Sequence, residues 1–375
     1  MINYSLFIKL DVSRWIITVN TFPLITWVSS SSECHISMEI LLSLINSVLL
    51  WNKINADFGS EYGIFRNVLY SSWIACDHNK DLNLSVSELE VYFYDFQNNY
   101  NASYKIDNAV EGIASYNLDI TRKLIFFVPG YRVHILKSTP EIIRQTFRDV
   151  PNSYLIIIDH SAYTTKEEGK RESYESAVMY TYYIGKALGK FLGDLRNMYR
   201  FPSQNIHCVG HSLGSHILGY AGNAYFDHTH ERVWRITGID PAGPCFSNSF
   251  IENQLRSGCA DYVEVYHCGA GTLGSTSVLA DVDFFFNDGK LQPHCHSGLS
   301  DITGSEAAKC SHKACIVFWS KTVHNPGWYL AWRCNSYKDF NDGKCAGNEV
   351  AIAGYSNPGN TSGIFYVSTD AYDVY

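Results

Sequence analysis

From about residue 120 onward the chain repeats one arrangement: a short, nearly unbroken apolar run, then a longer stretch with apolar residues at helical spacing. Residues 123–128 form such a run (Leu124-Ile125-Phe126-Phe127-Val128 after Lys123), stopped by Pro129-Gly130. Residues 154–159, rich in isoleucine, form a second; 206–209, 235–240 and 262–267 follow. Short apolar runs of β-branched and aromatic residues without polar alternation read as strands buried on both faces. Between them, residues 140–148 and 174–199 carry helical periodicity. Strand and helix in alternation predict an α/β fold with a mostly parallel sheet and helices on both faces. No internal repeat, low-complexity tract or Gly/Ser linker interrupts residues 57–375, which read as one domain.

The strand at 206–209 runs into Gly210-His211-Ser212-Leu213-Gly214, and a helical stretch starts at Ser215-His216-Ile217-Leu218. A G-x-S-x-G between a buried strand and a helix is a nucleophile elbow. The serine sits on a tight turn that pushes its hydroxyl out of the fold, and glycine on either side leaves room for the strand and helix to approach. The helix then aims its first N–H groups at whatever the serine attacks. A bare pentapeptide of this kind is common, so its flanks carry the inference.

A serine hydroxyl is a poor nucleophile near neutral pH and needs a base, itself oriented by an acid. In α/β-hydrolases these follow the serine in the order acid, then histidine. Asp240 ends the 235–240 run and is followed by Pro241-Ala242-Gly243-Pro244, which holds a carboxylate at the carboxyl edge of the sheet. By itself it is an aspartate at a turn before proline. The later histidines His267, His294, His296, His312 and His324 are all candidate bases; His312 follows Cys310-Ser311, where a disulfide would fix the loop that carries it.

The segments around these residues resemble the pancreatic lipase family over roughly residues 86–350. Asn205 to His216 resembles its nucleophile segment, and Arg235 to Phe246 its acid segment almost residue for residue. Asp283-Phe284-Phe285-Phe286-Asn287-Asp288-Gly289 with Gln292-Pro293-His294-Cys295 resembles the approach to the lid, and Cys310-Ser311-His312 its cysteine-and-histidine signature. The resemblance implies an α/β-hydrolase without a C-terminal β-sandwich, only 30 residues following Cys345. It implies Ser212 as nucleophile, Asp240 as orienting acid and His312 as base, with backbone N–H donors from Leu213 and Tyr131 in the oxyanion hole. Pro129 departs from the family, which has histidine before the Gly-aromatic pair. The same resemblance pairs Cys334 with Cys345 and makes the loop between Cys295 and Cys310 the lid. That loop encloses 14 residues, of which only Leu299 and Ile302 are large and apolar. A short lid beside a short Gly/Ser-rich 268–281 stretch resembles the phospholipase A1 branch, with triacylglycerol lipase as the alternative. The acidic calcium ligands of classical members would fall near Leu255-Arg256-Ser257-Gly258-Cys259, which has no carboxylate. No metal, no cofactor and no protein cofactor of the pancreatic type are expected; the expected partner is glycerolipid or phospholipid at a lipid–water interface. A non-catalytic lipid-binding or yolk-type relative is the rival from another class, with Pro129 its only support.

Composition adds a compartment. A formal charge of −8, with no Lys/Arg cluster, argues against nucleic acid. Residues 1–56 read as a leader: a signal peptide at about 38–56, with an apolar core at 40–51 and a small residue at Ala56, preceded by an upstream extension, 1–37. The alternative is a signal anchor, because 15–28 is also apolar. Eleven cysteines, most of them after position 244 and none in a C-x-x-C pair, imply disulfides in an oxidising compartment. Sequons at Asn83, Asn101 and Asn360 fit a secreted, extracellular glycoprotein. Residues 77–88 mimic an EF-hand loop, but Leu82 stands where the turn needs glycine, and a polar turn before the first strand is the simpler reading.

Overall fold

The computed structural model of the protein describes residues 4–11, 16–23, 82, 84–165, 170–246, 254–295 and 305–369. Two units divide the chain, 1–63 and 64–375. The first contains an antiparallel pair, β1 (Tyr4–Asp11) and β2 (Ile16–Pro23). Among the described residues no helix is long and apolar enough to cross a membrane. The 40–56 stretch, Asn83, Leu299 and Ile302 lie outside the described residues.

The second unit is built on a single sheet. In chain order its elements are β3 (Glu90–Asp95), β4 (Tyr100–Lys105), α1 (Ile106–Ala114), β5 (Lys123–Val128), α2 (Ser138–Phe147), β6 (Ser153–Asp159), α3 (Ser161–Thr164) and α4 (Lys170–Tyr199). There follow β7 (Ile206–His211), α5 (Leu213–Thr229), β8 (Arg235–Ile239), β9 (Tyr262–His267) and β10 (Val282–Phe286). The remainder is α6 (Ser305–His324), β11 (Tyr329–Arg333), α7 (Tyr337–Asn341), β12 (Val350–Ala353) and β13 (Gly363–Val367). Strand order is β12-β11-β13-β10-β9-β8-β7-β5-β6-β3-β4. From β13 to β6 all neighbours are parallel; β3–β4 on one flank and β11–β12 on the other are antiparallel.

The unbroken apolar runs follow from burial on both faces. Along β5, Leu124, Phe126 and Val128 pack into a cluster with Leu188 and Phe191 of α4 and Ile217 of α5. Ile125 and Phe127 of the same strand point the other way, toward Ile143 of α2 and Phe318 and Trp319 of α6. This is the α/β-hydrolase architecture. Disulfides join Cys268 to Cys315, Cys295 to Cys310 and Cys334 to Cys345. Cys245 is disulfide-bonded as well, while Cys208 and Cys259 are buried free thiols.

One expectation is corrected. His312 lies inside α6, not on a loop, and the last part of the expected lid, 305–309, is the first turn of that helix. Its buried positions are Ala307, Ala308, Ser311, Ala314, Cys315, Ile316, Phe318, Trp319, Ser320 and Thr322, most of them on the one broad face that a helix packed on a sheet turns inward.

Candidate active site

Strand register gathers the candidate residues into one row. Val128 pairs with Gly210, His211 with Ile239, and Ile239 with Tyr266. The chain therefore leaves β5, β7, β8 and β9 side by side, at Pro129, Ser212, Asp240 and Cys268. Ser212 takes φ 56° and ψ −122°, and its side chain makes no capping bond to α5, the helix it begins. A non-glycine residue held there costs on the order of 1–3 kcal/mol, sustained by the surrounding packing. The packing is close. A Cβ on Gly210 would meet Ser215 Cα at 2.6 Å, and one on Gly214 would run into the carbonyl oxygens of Val128 and Pro129. Ser212 itself stays partly exposed, while its N–H donates to the Ile239 carbonyl at 3.0 Å.

Asp240 is wholly buried, at φ 41°. Its Oδ1 accepts the backbone N–H groups of Cys268 and Gly269, both at 2.9 Å, and its Oδ2 accepts from His312 Nδ1 at 2.5 Å. Burial alone would raise this carboxyl; the hydrogen bond and charge of His312, with the two N–H donors, outweigh it and hold Asp240 below its ordinary value. The bond to Nδ1 leaves Nε2 as the free nitrogen of His312, the tautomer a base for Ser212 requires.

Behind these residues lies a supporting layer that the sequence did not reveal. His211 Nε2–H donates to the His312 carbonyl at 3.1 Å, and the two rings sit 4.6 Å apart. Burial, then the neighbouring His312, push His211 down to about 3, so it is neutral and can hold that carbonyl without adding charge. Gln292, fully buried, donates to the carbonyls of Cys268 and Phe286 at 3.0 and 3.1 Å. Its N–H donates to Ser311 Oγ, next to the base, at 2.9 Å. The Cys268–Cys315 disulfide ties the strand end that feeds Asp240 to the helix that carries His312. The one sequence signal for this pair was that Cys268 directly ends a strand and Cys315 follows His312 by three positions.

The two expected oxyanion donors lie beside the nucleophile. Leu213 opens α5, where first-turn N–H groups have no intrahelical acceptor. A Cβ on Gly130, next to Tyr131, would come within 3.0 Å of Ser212 Cβ. Pro129 does not leave this loop loose: its carbonyl accepts from the buried His160 Nε2 at 2.9 Å. The Tyr131 hydroxyl is bonded to Ser173 Oγ at 2.9 Å, and its ring packs edge-on against Tyr174 at 5.0 Å. Leu213, Ala242 and Phe246 complete this small apolar cluster beside the serine.

For metals, His294, Cys295 and Cys310 come within ligand distance of one another among the described residues, but both sulfurs are committed to a disulfide and offer no thiolate. Glu88, which would close the EF-hand-like loop, instead pairs with Lys105 at 3.1 Å. Asn101 on β4 and Asn360 ahead of β13 are both exposed.

An elbow serine, a buried acid and a histidine on α6 bonded to that acid stand near one another at the strand ends of an α/β-hydrolase fold. The lipase family's sequence model matches residues 63–361, and the chain belongs to the pancreatic lipase family. Relatives include the lipoprotein lipase of Neovison vison, 28% identical over 258 residues (64% of this chain, 52% of that protein). Lipase member H-B of Xenopus laevis is 30% identical over 61% of this chain and 47% of its own length. The pancreatic triacylglycerol lipase of Equus caballus is 29% identical over 68% of this chain and 59% of its own. The chain thus spans about half the length of the curated relatives it matches. Among solved structures, esterase PE8 covers 39% of this chain and 68% of its own at 16% identity, with a TM-score of 0.28.

Proposed function

We propose that the protein is a secreted serine esterase that hydrolyses glycerolipid esters, with phospholipids as preferred substrate and the sn-1 position as the site of cleavage. The observation that carries this reading is the Asp240–His312 contact of 2.5 Å in the same strand-end row as the strained Ser212. Ser212 Oγ attacks the ester carbonyl while His312 Nε2 takes its proton. Asp240 holds the ring and stabilises the imidazolium. The N–H groups of Leu213 and Tyr131 receive the developing oxyanion; such a donor is worth on the order of 10²–10³ in rate. His312 then protonates the leaving alcohol, and water, activated by the same histidine, releases the fatty acid from the acyl-enzyme.

The preference for phospholipid rests on the 14-residue span between Cys295 and Cys310 and on the short 268–281 loop, which leave the site open to a polar headgroup. The triacylglycerol reading draws on a relative, the horse pancreatic triacylglycerol lipase. Exposed sequons at Asn101 and Asn360 and the disulfides support export through an oxidising compartment.

The test offers the secreted protein and its Ser212→Ala variant phosphatidylcholine and triacylglycerol with a different acyl chain at each position, and identifies products by mass spectrometry. Release of the sn-1 chain from phosphatidylcholine, abolished in the variant, is expected. Turnover of triacylglycerol alone would replace the phospholipase reading with a neutral lipase. No difference between protein and variant on either lipid would make it a lipid-binding relative.

A further inference from the structure

Strand β6 runs parallel to its neighbour β5, so its end comes out beside the loop that starts at Pro129. Two residues there hold that loop. Asp159, buried, accepts the Ile135 N–H on Oδ2 and the Ser161 N–H on Oδ1, both at 2.9 Å. His160, wholly buried, meets the Pro129 carbonyl with Nε2 at 2.9 Å. Its other nitrogen, Nδ1, lies 3.3 Å from the hydroxyl of buried Thr164. Burial pushes the imidazole below the ordinary histidine value, so the ring is neutral and has a single N–H. A carbonyl only accepts, which assigns that N–H to Nε2 and leaves Nδ1 to accept from Thr164.

What this bond fixes follows from peptide geometry. Proline has no N–H and its ring sets φ at about −65°, so the carbonyl is the only polar backbone group on Pro129. A peptide unit is planar, and holding the Pro129 oxygen also sets the direction of the Gly130 N–H. The next plane contains the Gly130 carbonyl and the Tyr131 N–H, which point opposite ways across a trans peptide. That carbonyl accepts from the Val133 N–H at 3.3 Å. Only the two torsions of Gly130 join the planes, and glycine restricts them least of all residues. A Cβ there would sit 3.0 Å from Ser212 Cβ, so no side chain can stiffen them. The loop has to be held from outside. The Pro129 oxygen also lies against Gly214, next to Leu213, so one atom is a reference point for both expected oxyanion donors.

We infer that His160 is a positioning residue for ester hydrolysis: through the Pro129 carbonyl it sets the Tyr131 N–H where the oxyanion forms. The inference rests on the esterase reading, which supplies the identity of the site. Position 129, where the family has histidine, is proline here; a histidine from the neighbouring strand end keeps the loop in order. His160 touches no substrate and acts only through the loop. An oxyanion donor that drifts weakens the transition state and leaves the bound ester unaffected, so its signature is a fall in kcat at constant KM.

The experiment compares the full chain with His160→Leu, His160→Gln and Thr164→Val. Initial rates on a water-soluble short-chain ester give kcat and KM. Titration with an alkyl boronic acid, which forms a tetrahedral adduct on an active serine, reads the oxyanion hole at equilibrium, and calorimetry reads stability. His160→Leu should lower kcat roughly tenfold to a hundredfold, short of the loss of a whole donor. KM should stay within about twofold, and boronic acid binding should weaken by roughly the factor lost from kcat. His160→Gln, whose amide nitrogen reaches as far as Nε2 and donates, should restore most of kcat. Thr164→Val keeps the ring but frees its tautomer, and should cost several-fold in kcat at constant KM. Parent kcat in all three variants overturns the assignment. So does a loss in His160→Leu that His160→Gln does not repair, or one that moves kcat and KM together with the melting temperature, since His160 is then a packing residue. If His160→Leu does not fold, Thr164→Val decides, and parent kcat in that variant overturns the assignment. A parent that turns over no ester removes the esterase reading and the assignment with it, whereas an active parent with unaffected variants removes the assignment alone.

Discussion

Replacing both Cys268 and Cys315 with alanine tests whether the disulfide between acid and base matters for chemistry as well as stability. Cys268 and Cys315 are 47 residues apart, and closing a loop of that length restricts the unfolded chain by about 4 kcal/mol in the chain-entropy account. A loss of that size lowers the melting temperature of a domain this large by roughly 8 °C or more. The site should also suffer, since Cys268 and Gly269 supply both N–H bonds to Asp240 Oδ1. Hydrogen bonds to a charged group are worth about 1.5–3 kcal/mol; weakening one should reduce kcat/KM roughly tenfold to a hundredfold. The Cys334–Cys345 pair serves as the comparison. It closes a separation of 11 residues far from the strand-end row, so Cys334→Ala with Cys345→Ala should cost about 3 kcal/mol and leave kcat/KM alone. Calorimetry together with initial rates on a soluble ester measures both effects. If the Cys268/Cys315 variant melts with the parent and keeps its kcat/KM, the strap plays no part in holding the acid, and the reasoning fails.

Asp240→Asn should fold normally yet reduce kcat by about 10⁴, because an amide in that place favours the wrong imidazole tautomer; a smaller loss, measured on a soluble ester, would point to another acid. His211→Leu removes the donor to the His312 carbonyl and should lower kcat while leaving KM unchanged, with His211→Gln restoring most of it; equal rates for both variants would reduce His211 to a packing residue. Stability should fall on acidification from pH 7 to 5. Burial lowers the folded values of His160, His207, His211 and His216, the last two to about 3 and about 4. Stability from groups lowered in this way is present above the unfolded histidine value near 6.5 and is lost as pH falls toward the folded values. Each contributes up to about 1.4 kcal/mol per pH unit, and urea midpoints across that range would show the trend; a flat profile would mean these rings are charged in the folded protein.

The parallel centre of the sheet was legible because burial on both faces leaves β5 to β9 as apolar runs that no other element imitates. The elbow was legible because Gly210 and Gly214 are required by contacts that any side chain would violate. The antiparallel flanks were not. Glu90–Asp95 alternates half-buried and buried positions, a weak signal within a tyrosine-rich segment. The helical setting of His312 was hidden for a related reason: the inward positions at its start are Ala307, Ala308, Ser311 and Ala314, too small and too polar to register as an apolar stripe. Neither the Cys268–Cys315 pairing nor the roles of His211 and Gln292 could be read from spacing, since each joins segments that only the finished sheet brings together.

The row at the strand ends also bears on how the molecule is made. His312 meets Asp240 across 72 residues of chain and His211 across 101, and no two neighbouring segments assemble the site by themselves. Contacts of such range form slowly, after the loop-closure entropy between them has been overcome. Esterase activity regained after dilution from denaturant should therefore lag behind the return of helix. It would report the moment the central strands are all in register, which makes the site a clock for the last step of folding.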